Sequence, residues 1–88
     1  MSKITIYTSS LCPYCTQAKR LLNNKNIPFT EISIANDPNK RAEMIQKSQR
    51  STVPQIFNGD KHVGDCTEIY DLESRGKLDE LLLSLIHI

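Results

Sequence analysis

The chain has 88 residues, 24% of them charged, and a formal net charge of +1. That length allows one small domain and leaves little for a second site, and the charge balance gives no electrostatic case for nucleic acid or an anionic membrane. No run approaches the ~20 apolar residues that span a bilayer, Met1-Ser2-Lys3-Ile4 lacks the apolar stretch of a signal peptide, and the default reading is a cytoplasmic protein.

Ile4, Ile6 and Thr8 alternate with Lys3, Thr5 and Tyr7, which predicts a first strand from Lys3 to Thr8. The loop after it carries Cys12-Pro13-Tyr14-Cys15. From Pro13 onward Cys15, Ala18, Leu21 and Leu22 recur at helical spacing between polar residues, so a helix begins at the motif itself, with Pro13 in a first turn where its missing N–H costs nothing. After an Asn26-Ile27-Pro28 turn, Phe29 to Ile34 alternates as a second strand. Asp37-Pro38 then supplies a cap and a helix-compatible proline, opening a helix to about Gln49 with Ala42, Met44 and Ile45 expected inward.

Gln55-Ile56-Phe57 reads as a third strand, Asn58 to Lys61 as a hairpin turn, and His62-Val63-Gly64 as a fourth strand. Asp65, with Glu68 three residues on, forms a capping-box pattern ahead of a helix through Ile69 and Leu72 that stops near Gly76. Leu78, Leu81, Leu82 and Leu85 make a last amphipathic stripe. The order β-α-β-α-β-β-α-α predicts an α/β fold, one domain over residues 1–88: a four-stranded mixed sheet flanked by helices on both faces, parallel in its first unit and antiparallel in the hairpin.

Three cysteines, an odd count, argue against a secreted disulfide framework. In a reducing compartment the Cys12/Cys15 pair is a redox centre, half of a zinc site completed by His62 and Cys66, or a structural pair. For redox work one sulfur must be held as the anion, because an ordinary thiol is only a few per cent ionised at neutral pH. Cys12 precedes the helix, so the N–H groups of Tyr14 and Cys15 can point at its sulfur and the helix dipole favours its charge. Holding a thiol three units below its ordinary pKa takes ~4 kcal/mol. The dipole supplies at most ~2 kcal/mol, so direct hydrogen bonds or a nearby cation must add the balance. His62 and His87 have no visible catalytic context and read as solvated or structural.

Four ordered segments carry a family resemblance: Cys12-Pro13-Tyr14-Cys15, Thr52-Val53-Pro54-Gln55-Ile56-Phe57, Val63-Gly64-Asp65-Cys66-Thr67-Glu68 and Arg75-Gly76-Lys77-Leu78. Over essentially its whole length the chain resembles the glutaredoxins. The resemblance implies a thioredoxin-like fold and a glutathione-dependent thiol–disulfide oxidoreductase of the dithiol type, with Cys12 as nucleophile and Cys15 as resolving thiol. It further implies that Thr52, Val53 and Pro54 face the dithiol with Pro54 in the cis form, so that Val53 pairs through its backbone with an extended cysteinyl peptide. Tyr14 walls that slot. The Cys66 backbone, the Thr67 hydroxyl and the helix start take the γ-glutamyl carboxylate of glutathione, and Arg41 takes the glycyl carboxylate.

Glutathione is the implied reductant, kept reduced by an NADPH-dependent reductase, with no tightly bound cofactor and no metal. The implied partners are disulfide-containing or glutathionylated proteins, ribonucleotide reductase among them, met by a monomer. Departures from the family pattern also stand out. Ser9-Ser10 occupies the stretch where many members have a lysine, and Gly64-Asp65 replaces the common Gly-Gly, so Asp65 either points away as a cap or weakens glutathione binding. The wider family also includes cluster-bridged dimers. An iron–sulfur or zinc carrier, and a small redoxin served by thioredoxin reductase that would not need Arg41 or Thr67, therefore remain the alternatives.

Overall fold

The computed structural model describes residues 3–82. Its elements are β1 (Ile4–Thr8), α1 (Pro13–Asn24), β2 (Thr30–Ser33), α2 (Pro38–Ser48), β3 (Gln55–Asn58), β4 (Lys61–Gly64), α3 (Cys66–Ser74) and α4 (Leu78–Leu82). This is the expected order, with the second strand shorter at both ends than the predicted Phe29 to Ile34. Leu85 and His87 lie outside the described residues. None of the described helices is long and apolar enough to cross a membrane.

The sheet runs β2-β1-β3-β4, with β1 parallel to β2 and antiparallel to β3, and with β3 and β4 forming the hairpin. Strand β1 is interior, so both of its edges are paired, and both of its faces are covered as well. Ile4 and Ile6 pack with Ala18 and Leu22 of α1, Ile69 of α3 and Leu78 and Leu82 of α4. On the opposite face Tyr7 and Phe57 meet edge to face, with ring centroids 5.6 Å apart, in a smaller cluster with Ile34 and Met44. The three helices that pack on the first face hold the carboxyl end of β1 against the start of α1. That junction carries the two cysteines.

Helix α2 corrects one expectation. Met44 is buried, but Ala42 and Ile45 lie at the surface, and Ser48 takes the inward position one turn beyond Met44. Residues four apart share a helical face, so Met44 and Ser48 form one stripe and Ile45 is rotated about 100° from it. Apolarity alone points to Ile45 as an inward residue and gives no reason to bury a serine. The serine tolerates burial because its hydroxyl donates to the Met44 carbonyl at 2.7 Å and accepts the Arg50 N–H at 3.1 Å.

Candidate active site

Cys12 is the N-cap of α1, with extended backbone dihedrals, and Pro13 follows as the first helical residue. The capping geometry turns the Cys12 side chain back over the first turn, where its sulfur accepts the Cys15 N–H at 3.2 Å. Of the two N–H groups expected at the sulfur, that of Cys15 is the one bonded. Cys12 is partly exposed, Cys15 is buried, and all three cysteines are free thiols. Burial, reinforced by hydrogen bonding to Cys12, pushes the Cys15 thiol well above the ordinary range. The pair is therefore asymmetric: an accessible sulfur at the helix start, and a buried thiol one turn deeper that keeps its proton at neutral pH.

Six residues expected to receive glutathione converge. Tyr14, Thr52, Val53, Pro54, Cys66 and Thr67, together with Asp65, line a cavity of ≈ 260 Å³. The Val53–Pro54 peptide is cis. Arg41, by contrast, is exposed in the first turn of α2 and does not line this cavity. Burial raises the Cys66 thiol, with the Asp65 charge adding to the effect.

Asp65 lines the cavity and at the same time caps α3. Its Oδ1 accepts the Glu68 N–H at 2.9 Å, and Glu68 Oε1 accepts the Asp65 N–H at 3.0 Å, which completes the capping box. The structure adds a residue that the sequence reading missed. Arg50 grips the Glu68 carboxylate with both terminal nitrogens, Nη2 donating to Oε2 at 3.1 Å, and its Nη1 lies 3.6 Å from Asp65 Oδ2. Through Arg50 the loop that carries Thr52 to Pro54 is tied to the start of α3, which joins two walls of the cavity. No local pattern announces a pair 18 residues apart; the available signal was a cation next to the Thr52-Val53-Pro54 loop and two acids at a helix start.

Arg50 holds the Glu68 carboxyl at about 2, well below its ordinary 4.5. A carboxyl depressed on folding stabilises the fold above its unfolded value, and that contribution is lost as pH falls from about 4.5 through about 2. The pair is partly exposed, so screening keeps the contribution below about 1 kcal/mol. Urea midpoints measured down to acid pH should fall less steeply in Glu68→Gln than in the unsubstituted protein. Identical slopes would contradict the pairing.

His62 is structural: Nε2 lies 2.7 Å from Gln55 Oε1, and the ring tilts over Phe57. Burial, then the nearby Arg50 charge, lowers its pKa. Among the described residues, no group of three or more His, Cys, Asp or Glu is placed to hold a metal ion. The zinc set of Cys12, Cys15, His62 and Cys66 is thus not gathered.

A second, larger cavity of ≈ 630 Å³ opens on Cys12 and Cys15 themselves. Lys19 and Glu31 form an ion pair in its wall at 3.0 Å, and the Thr8 hydroxyl donates to Glu31 at 2.7 Å. Lys19 stands four residues after Cys15, on the same helical face, and its charge favours the anionic form of that thiol.

The mixed sheet, the cysteine that caps a Cys-x-x-Cys helix, and the cis-proline loop that shares a cavity with Tyr14 of that helix define a thiol–disulfide oxidoreductase of the thioredoxin-like fold. The glutaredoxin family model matches residues 4–63. The chain is 49% identical over 82 residues to glutaredoxin 3 of Escherichia coli strain K12, covering 93% of this chain and 99% of that protein. The solution structure of glutaredoxin from Brucella melitensis aligns with a TM-score of 0.82 at 51% identity, covering 93% of this chain and 89% of that one. The buckwheat glutaredoxin–glutathione complex aligns at 0.81 and 24% identity, over 94% of this chain and 78% of that one, a likeness of fold alone. The chain belongs to the glutaredoxin family and is a glutathione-dependent thiol–disulfide oxidoreductase.

Proposed function

We propose that Cys12 is the attacking sulfur and Cys15 the resolving thiol. The observation that carries this is the partly exposed Cys12 sulfur at the start of α1, accepting the Cys15 N–H at 3.2 Å, with the Cys15 thiol buried one turn deeper. The Cys12 thiolate attacks one sulfur of a substrate disulfide; that S–S bond breaks, and the second substrate sulfur leaves as a thiolate that takes up a proton. Cys15 then gives up its proton and attacks the Cys12 sulfur of the mixed disulfide. The first substrate thiol is released, and two electrons have passed from the dithiol, which becomes the Cys12–Cys15 disulfide. Two glutathione molecules return it to the dithiol and become glutathione disulfide, which an NADPH-dependent reductase reduces.

In this reading the smaller cavity holds glutathione. Val53 pairs with its cysteinyl backbone. The N–H groups at Cys66 and Thr67, with the Thr67 hydroxyl, take the γ-glutamyl carboxylate, Tyr14 covers the chain, and Arg41 reaches the glycyl carboxylate. The buckwheat relative of the same fold, described as a glutathione complex, supports the choice of ligand. The chain acts as one domain over residues 1–88, a cytoplasmic monomer whose targets are disulfide-containing and glutathionylated proteins, ribonucleotide reductase included.

The test follows NADPH oxidation, first with glutathione and its reductase, then with thioredoxin reductase alone. Turnover in the first system and none in the second is expected; the reverse would favour a redoxin that does not use glutathione. Asp65 is a cap paired with Arg50, so Asp65→Asn, which keeps the cap and removes the charge, should change the KM for a glutathione mixed disulfide by less than about twofold. A large gain in affinity would show that the carboxylate opposes the ligand.

A further inference from the structure

Leu11 stands immediately before Cys12, fully exposed at 100%, in a left-handed backbone with φ 57°. The other non-glycine residues described with positive φ are Asn26, Asn36 and Gln49, all polar. A branched apolar side chain is disfavoured in that conformation, and glycine or asparagine would hold it more easily. Leu11 buries nothing in this chain, so packing does not account for it. A residue set against its backbone preference beside a reactive group points to a role in binding.

Its surroundings say what would bind. Leu11 borders the ≈ 630 Å³ cavity that reaches both Cys12 and Cys15. On the other side of Cys12, Tyr14 is 59% exposed and belongs to the smaller slot. Cys12 is thus in the wall of the larger concavity and two residues before Tyr14 in the wall of the smaller, and in the proposed reading glutathione requires only the smaller one. The larger is walled by the Thr8 and Ser33 hydroxyls and by the Lys19–Glu31 pair, which offers both charges as well as donors and acceptors. Such a wall suits a polypeptide backbone with mixed side chains. Because the cavity is continuous with the dithiol, its occupant arrives with the disulfide being reduced.

We propose that Leu11 and the larger cavity receive the polypeptide of a protein disulfide substrate, with Leu11 packing against an apolar side chain next to the substrate cysteine. The proposal rests on Cys12 as the attacking sulfur. It assigns to Leu11 a part in substrate choice and none in the chemistry.

The test uses three substrates: the mixed disulfide of glutathione and 2-mercaptoethanol, and two disulfide-bonded peptides identical except for Leu or Asp beside the cysteine. The unsubstituted protein should prefer the Leu peptide. Leu11→Gly should raise the KM for that peptide roughly fivefold, the factor that half-burial of a leucine side chain supplies, with kcat unchanged. The Asp peptide and the small mixed disulfide should be unaffected, and Leu11→Met should restore the preference. The thermal midpoint of Leu11→Gly should be unchanged or higher. An unchanged KM, an equal change for both peptides, or a lower midpoint would overturn the proposal. Failure of the unsubstituted protein to turn over the small mixed disulfide would instead contradict the Cys12 assignment.

Discussion

Cys15→Ser is expected to retain turnover of glutathione mixed disulfides while its reduction of protein disulfides that need both thiols falls to below about one hundredth. The reason is the asymmetry of the pair. Cys12 lies at the opening with its sulfur on the Cys15 N–H, a backbone donor that serine leaves in place. A glutathione mixed disulfide can then be released by a second glutathione, with no call on position 15. A protein held to Cys12 must wait for an external thiol to reach a crowded S–S bond. Cys12→Ser should abolish both activities, losing more than about a thousandfold, because Cys15 is buried and keeps its proton. Parallel assays with the two substrate types check this, and equal loss in both for Cys15→Ser would contradict the division of labour.

Gly64→Ala should produce the largest loss of stability from a single added methyl group at this site. Gly64 has φ +147°, and a Cβ there would lie 2.8 Å from the Glu68 Cβ and 2.9 Å from its Oε1. That oxygen accepts the Asp65 N–H and is held by Arg50. Moving it breaks the capping box and the tie to the Thr52 loop together. Backbone strain and overpacking sum to about 2–4 kcal/mol, a fall of roughly 10–25 °C in thermal midpoint for a domain of this size. The KM for glutathione mixed disulfides should rise as the two walls of the slot separate. Gly59→Ala is the control, since its φ is +62° but no atom lies within 4 Å of the added Cβ. A midpoint for Gly64→Ala at or above that of Gly59→Ala would refute the clash.

The features legible in the sequence were those set by local chemistry. Pro13 after Cys12, Asp37 before Pro38, and the reciprocal Asp65 and Glu68 each mark a helix start through groups a few residues apart, and each start lies where that chemistry put it. The slot residues Tyr14, Thr52 to Pro54, Cys66 and Thr67 were reached through family motifs, and the cavity brings them together. Tertiary choices were harder to read. Which stripe of α2 turns inward depends on the sheet beneath it: Ser48 goes in, its hydroxyl held by the Met44 carbonyl and the Arg50 N–H, and Ile45 is left outside. Arg50 and Lys19 were invisible as site residues because each is defined by an acid on another element, Glu68 and Glu31. Leu11 shows the same limit from the other direction, since its exposure and its φ emerge only with coordinates.

The central claim, that Cys12 is the sulfur that joins glutathione to the chain, is tested most directly by trapping that bond. Cys15→Ser, treated with glutathione disulfide and mapped by peptide mass spectrometry without reductant, should carry a single glutathione, on Cys12, removable by excess glutathione. An adduct on Cys66 with Cys12 still free, or no adduct at all, would contradict the account.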